Sequence, residues 1–201
     1  MLKTIILDLG NVIVPLNFPA AYDAMSSRCG VPAAELQKRF ATTGLFHAFE
    51  SGSIEPEEFF RQSMELIGGE MTFAEFSEIW CLIFLPQTFI PESMLLSLRE
   101  RYRLVLLSNT NAIHIPFLRA QYPLLRHFHA QVLSHEVRQM KPGAAMYLTA
   151  LSHADGTPEE CFFTDDIAAY VEGARAHGIQ AEQFLGLEKL EKDLRARGVE
   201  W

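Results

Sequence analysis

Thr4-Ile5-Ile6-Leu7-Asp8-Leu9-Gly10-Asn11-Val12 opens with a short apolar run, Thr4 to Leu7, that ends directly in a carboxylate. Runs of this length, bounded by polar and turn residues, predict strands buried on both faces of a parallel sheet. Similar runs recur at Leu104 to Leu107, Ala130 to Leu133, Cys161 to Thr164 and Gln180 to Phe184. Between them lie segments with apolar residues at helical spacing: Glu92 to Tyr102, Gly143 to Leu151 and Ile167 to His177. Pro91 is suited to the start of the first of these. Strand and helix in alternation predict an α/β fold with a doubly wound parallel sheet.

The stretch from Pro15 to Pro91 breaks this alternation. It is rich in Phe, Glu, Ala and Met, with helical periodicity throughout. Pro32, Pro56 and Pro91 stand near expected helix starts; Gly44, Gly52 and Gly68-Gly69 stand near expected breaks. The expectation is a catalytic core of residues 1–14 and 92–201, with residues 15–91 forming a small helical insert after the first strand. Ligands of open sheets bind beyond the carboxyl ends of the strands. An insert leaving from that edge would cover the site.

Composition narrows the partners. The chain has 201 residues, 49% of them hydrophobic, which suits one compact domain, or one domain carrying a small insert. Its formal net charge of -8 disfavours a polyanion, so no nucleic acid is expected. No apolar stretch approaches the roughly 20 residues that span a bilayer, so no membrane is expected either. Lys3 before the first apolar run imitates a signal peptide, but Asp8 interrupts the run. Cys29, Cys81 and Cys161 are far apart and read as reduced, small apolar residues of a cytoplasmic protein.

The chemistry lies at the strand ends. Asp8 follows the first strand, Ser108-Asn109-Thr110 the second, and Asp165-Asp166 the fourth; Lys141-Pro142 precedes a helix. A carboxylate can attack phosphorus and split one difficult step into two. Facing a phosphate, it meets repulsion of about 4 kcal/mol per charge pair at 4 Å and an effective dielectric near 20. A cation is therefore required. Asp165 and Asp166 could share Mg2+ with Asp8, because magnesium prefers hard oxygen ligands. Lys141 supplies a fixed positive charge, and Ser108 with backbone N–H groups can hold phosphate oxygens. Any of these residues alone is more plainly a turn, cap or surface residue.

Four such segments in this order resemble the motifs of the haloacid dehalogenase-like superfamily, over nearly the whole chain. Asp8-Leu9-Gly10-Asn11-Val12 with Leu107-Ser108-Asn109-Thr110 is similar to its bacterial glucose-1-phosphate phosphatase-like branch. The resemblance implies a Rossmann-like core with a helical cap. It implies Asp8 as nucleophile and metal ligand, with the Gly10 carbonyl, Asp165 and Asp166 as further ligands. Ser108, Asn109 and Lys141 would bind the phosphoryl group. The implied activity is Mg2+-dependent hydrolysis of a small phosphorylated metabolite, such as a sugar phosphate, through an aspartyl phosphate. A monomer or homodimer is expected. The rival readings are a metal-independent haloacid dehalogenase and a non-catalytic phosphate-binding or regulatory protein.

Two positions depart from the family pattern. Gly10 stands where the family usually has an acid–base Asp, a contribution of roughly 10²–10⁴-fold. Tyr170 stands where an Asp or Asn often supports the metal. Three further features read more simply as structure. His127, His129 and His135 match no zinc spacing. Phe59-Phe60, Phe73 and Phe76 suit a helix core. Arg39, His47 and Glu50 are polar residues of the insert that could set substrate choice, with solvated surface as the plainer expectation.

Overall fold

The computed structural model describes all of residues 1–201. Five parallel strands form one sheet: β1 (Thr4–Leu7), β2 (Arg103–Ser108), β3 (Ala130–Leu133), β4 (Cys161–Asp165) and β5 (Gln180–Gln183). Their order is β3-β2-β1-β4-β5, so β1 is central and the winding reverses beside it. All four pairings are parallel.

Side chains alternate across each strand. Ile5, Leu7, Leu104, Leu106 and Phe162 face one side of the sheet. Ile6, Val105, Leu107, Phe163 and Ala181 face the other. Both faces must therefore be covered. The first carries α6 (Glu92–Arg99), α7 (His114–Gln121) and α11 (Leu187–Ala196); the second carries α9 (Ala144–Ser152) and α10 (Ala168–Arg175). A short helix, α8 (Ser134–Val137), follows β3 directly. The expected strands are all present, and Pro91 is the residue just before α6. α7 and α11 go beyond the sequence reading.

Between β1 and α6 the chain forms five helices: α1 (Phe18–Cys29), α2 (Ala33–Ala41), α3 (Leu45–Glu50), α4 (Pro56–Ile67) and α5 (Phe73–Trp80). Pro56 opens α4, where its missing N–H costs no helical hydrogen bond. Thr72 and Glu75 cap α5 reciprocally. This block has its own aromatic core. Phe49 stacks on Phe59 at 4.1 Å between centroids, and Trp80 packs against Phe40, Phe46, Phe59 and Phe76. Phe59 and Phe76 are fully buried, as the sequence suggests, while Phe73 sits at the margin. Ile113 of the β2–α7 connection joins this core and ties the block to the sheet.

The two strands of chain that link block and sheet run side by side. Asn17 N donates to Ile83 O at 2.7 Å, Leu85 N to Pro15 O at 3.1 Å, and Phe89 N to Ile13 O at 2.9 Å. No helix is long and apolar enough to cross a membrane. All three cysteines are free thiols.

Candidate active site

Parallel strands place their carboxyl ends along one edge, and the helical block lies over that edge. Between them is a cavity of about 500 Å³. Asp8, Gly10, Ser108, Asn109, Lys141 and Asp166 all line it, alongside Glu50 from the helical block. Its remaining wall is largely apolar, built from Phe18, Tyr22, Met25, Phe46, Trp80 and Phe84.

Lys141 organises the floor. Its Nζ donates to Asp8 Oδ1 at 2.7 Å, to Asp165 Oδ2 at 2.5 Å and to the Leu107 carbonyl at 3.0 Å. An ammonium has three protons, so this set is complete. Burial by itself would lower the Lys141 pKa, but the Asp8 and Asp165 carboxylates outweigh it and the net shift is upward. The ammonium therefore stays charged although the side chain is 1% exposed. Its backbone is equally fixed. Asn109 Oδ1 accepts from Lys141 N at 2.7 Å, and Asn109 Nδ2 donates to Lys141 O at 3.2 Å. Asn109 thus clamps the lysine segment to the end of β2.

Burial pushes the Asp8 carboxyl up to about 7; Lys141 pulls it down and Asp165 pushes it up. Asp166, half-buried, is also raised, chiefly by burial, with Asn11 opposing. Asn11 Nδ2 lies 3.3 Å from Asp166 Oδ2, and Asn11 itself has a left-handed backbone with φ of 55°. Asn is one of the few non-glycine residues that tolerate that conformation. Sequence reasoning did not assign Asn11 a role; its place in a tight turn after a strand was the available signal.

Asp8, Asp165 and Asp166 bring carboxylate oxygens within 4.8 Å of one another, and no other group of three His, Cys, Asp or Glu side chains does so. The Gly10 carbonyl, which also borders the cavity, accepts no hydrogen bond. Hard oxygens gathered this way suit a divalent cation such as Mg2+. A nearby dication would favour the ionised carboxylates. Asp165 is fully buried and accepts from Lys141 and from Ile167 N at 2.9 Å. It is more enclosed than Asp166. Neither caps α10 at its first position, which Ile167 occupies.

The two departures have local explanations. A Cβ on Gly10 would lie 2.7 Å from Leu16 Cδ1, so the leucine fills the space that a larger side chain would enter. The Tyr170 hydroxyl accepts from Asn109 Nδ2 at 3.3 Å, and Lys141 Nζ lies 5.2 Å from its ring centroid. Tyr170 thus braces the lysine and its clamp. Cation–aromatic contacts of this kind reach about 2 kcal/mol when desolvated.

The other candidates scatter. His127 Nε2 pairs with Glu92 at 2.7 Å, and His129 Nδ1 accepts from Leu104 N at 3.0 Å, so these histidines form no metal site. Arg39 binds the Leu66 carbonyl and Glu35, away from the cavity. His47 is exposed. Glu50 differs from the solvated expectation: it faces the cavity. Burial raises its carboxyl to about 7, with Lys141 pulling the other way.

A family model described as haloacid dehalogenase-like hydrolase matches residues 2–178. A D-ribitol-5-phosphate phosphatase of Bacteroides thetaiotaomicron is 27% identical over 190 residues, covering 91% of this chain and 92% of that protein. A haloacid dehalogenase family enzyme of the same organism, solved with magnesium and inorganic phosphate, has a TM-score of 0.79 at 27% identity, covering 91% of this chain and 94% of that one. A predicted haloacid dehalogenase-like hydrolase of Porphyromonas gingivalis has a TM-score of 0.82 at 28% identity, covering both chains completely.

Proposed function

The chain belongs to the haloacid dehalogenase-like hydrolases, and within that family we propose that it is a magnesium-dependent phosphatase of a small phosphorylated metabolite. The observation that carries this reading is the meeting of Asp8, Asp166 and Lys141 on the floor of one covered cavity, with the fully buried Asp165 in the same carboxylate cluster. The similarity to a D-ribitol-5-phosphate phosphatase supports a phosphorylated polyol or sugar as substrate. The cavity of about 500 Å³ matches small metabolites in size. Residues 15–91 act as its cap, over a core of residues 1–14 and 92–201. We place the enzyme in the cytoplasm, as a monomer or homodimer.

Asp8 is the nucleophile. Its oxygen bonds to phosphorus while the ester bond breaks, giving an aspartyl phosphate that water then hydrolyses. Asp8, Asp166 and the Gly10 carbonyl would hold Mg2+, with Asp165 acting directly or through water. When bound, the ion neutralises charge on the phosphoryl oxygens. Ser108 and Lys141 hold the transferring group, and Asn109 keeps Lys141 in register with Asp8. The backbone N–H groups of Gly10 and Asn109 make no backbone hydrogen bond and are free to donate to phosphoryl oxygens.

The test is phosphate release from p-nitrophenyl phosphate with magnesium, in wild type and in Asp8→Asn, with and without chelator. Wild-type activity that disappears in the variant and on chelation is expected. Full activity in Asp8→Asn would overturn the mechanism, and chelator-insensitive release of halide from a 2-haloacid would point to dehalogenation.

A further inference from the structure

Leaving-group oxygens need a proton, and position 10 has no side chain to give one. The cavity wall contains few groups able to do so. Asp8 is the proposed nucleophile, and Asp166 belongs to the carboxylate cluster. Lys141 has all three protons engaged and its pKa raised. His114 is held at both nitrogens, by Asn111 at 3.0 Å and the Trp80 carbonyl at 3.3 Å, and burial drives it down to about 3. It is neutral and fixed at working pH. Burial pushes the Tyr22 and Tyr170 hydroxyls upward, away from neutrality.

Glu50 remains. Its side chain makes no hydrogen bond within the protein, and it borders the cavity from the cap side. Its backbone is anchored to the core. Ser134 Oγ, at the end of β3, lies 2.6 Å from Glu50 O, 2.9 Å from Thr110 O, and accepts from Thr110 N at 2.9 Å. Thr110 follows Ser108-Asn109, so one hydroxyl joins the turn at Glu50 to the phosphoryl-binding loop. Two residues on, Gly52 has φ of +67°, and a Cβ there would overlap the His135 carbonyl. Only glycine lets the turn seat this closely. The charged and titratable groups facing Glu50 are Lys141, which favours its ionised form, and Tyr170 across the cavity. His135, on α8 beneath the turn, is lowered by burial and so favours its neutral form.

We propose that Glu50 is the general acid and base of the reaction, supplied by the cap in place of the carboxylate that position 10 lacks. This rests on the phosphatase reading above. In the first step the Asp8 oxygen bonds to phosphorus, the phosphorus–oxygen ester bond breaks, and the Glu50 carboxyl proton passes to the departing oxygen. In the second step the Glu50 carboxylate takes a proton from water. The water oxygen bonds to phosphorus, and the bond to Asp8 breaks. Glu50 ends protonated and Asp8 ends as a carboxylate, so the cycle closes with one water consumed. A carboxyl raised to about 7 by burial is suited to both transfers.

The test is a series of ring-substituted phenyl phosphates with magnesium, comparing wild type, Glu50→Gln and Glu50→Asp. Glu50→Gln should lose about 10²-fold or more in kcat/KM on phenyl phosphate, but only a few-fold on dinitrophenyl phosphate, whose leaving group needs no proton. Glu50→Asp should keep the shallow wild-type dependence on leaving group. Carboxyl-¹³C titration of the wild type should show one glutamate titrating near neutral pH that is missing in Glu50→Gln. Equal losses across the series, no loss, or no such titration overturns the proposal. A wild type that hydrolyses none of the series, and releases no phosphate from sugar or polyol phosphates, overturns the phosphatase reading itself.

Discussion

Ser134 Oγ lies 2.6 Å from the carbonyl oxygen of Glu50, and the two residues belong to different layers of the molecule. Ser134 opens the short helix that follows the third strand; Glu50 ends a helix of the cap. Because the same hydroxyl accepts from Thr110 N while its single proton goes to one carbonyl, Ser134→Ala leaves a buried N–H and one carbonyl without a partner. A loss of about 1–3 kcal/mol in stability follows, measurable by urea unfolding. Turnover should fall as well, because the turn carrying Glu50 is freed.

Lys141→Met removes the ammonium from between two buried carboxylates. Losing one member of a buried ion cluster costs about 3–5 kcal/mol. The defect should be largest in alkaline buffer and shrink on acidification, since protonating Asp8, whose carboxyl burial raises, relieves the repulsion. Unfolding midpoints across pH test this, and a pH-independent defect would contradict it.

Glu50 also predicts a stability difference of definite sign. Its folded-state pKa is raised from 4.5 to about 7. The folded protein therefore binds the proton more tightly, and stability falls as pH rises through that window. Glu50→Gln removes the titration. The variant should melt above wild type in mildly alkaline, metal-free buffer, and the gap should close only below about pH 4, where Glu50 is protonated in both states.

Gly10→Asp should not simply restore the common family pattern. The new side chain meets Leu16, and overpacking costs about 1–3 kcal/mol. Leu16→Ala opens that space. The double variant should be more stable than the sum of the single changes, a coupling that a double-mutant cycle reads directly.

At Tyr170 the hydroxyl and the ring can be separated. Tyr170→Phe loses only the 3.3 Å contact with Asn109 and should change kcat a few-fold at most. Tyr170→Leu also loses the ring beside Lys141 and should reduce both kcat and thermal stability further.

Much of this arrangement is legible in the chain itself. Strands buried on both faces make continuous apolar runs, and parallel pairing sends their carboxyl ends to one edge. Asp8, Ser108 and Asp165-Asp166 therefore group together from their positions after the strands alone. Lys141 needed more, since its inward course depends on the Asn109 clamp, a contact 32 residues away in sequence. Glu50 was the least legible. On a short helix it looks like one more surface carboxylate. Its place in the cavity depends on Gly52 seating against His135 and on Ser134, neither of which announces itself by spacing. Tyr170 has the opposite difficulty: it stands out in the sequence as a departure from the family pattern, but its partners follow only from α10 lying beside Lys141. α11 carried a readable signal in Leu187, Leu190 and Leu194, whose spacing follows one helical face.

The floor that Lys141 organises also dictates an order of events. Three carboxylates, Asp8, Asp165 and Asp166, stand against a single ammonium there. A floor with that imbalance repels a phosphoryl dianion and welcomes a dication. Linkage requires each ligand to strengthen the other by the same factor. Product inhibition by inorganic phosphate should therefore be a property of the metal-loaded enzyme, and washing out magnesium should release phosphate along with it.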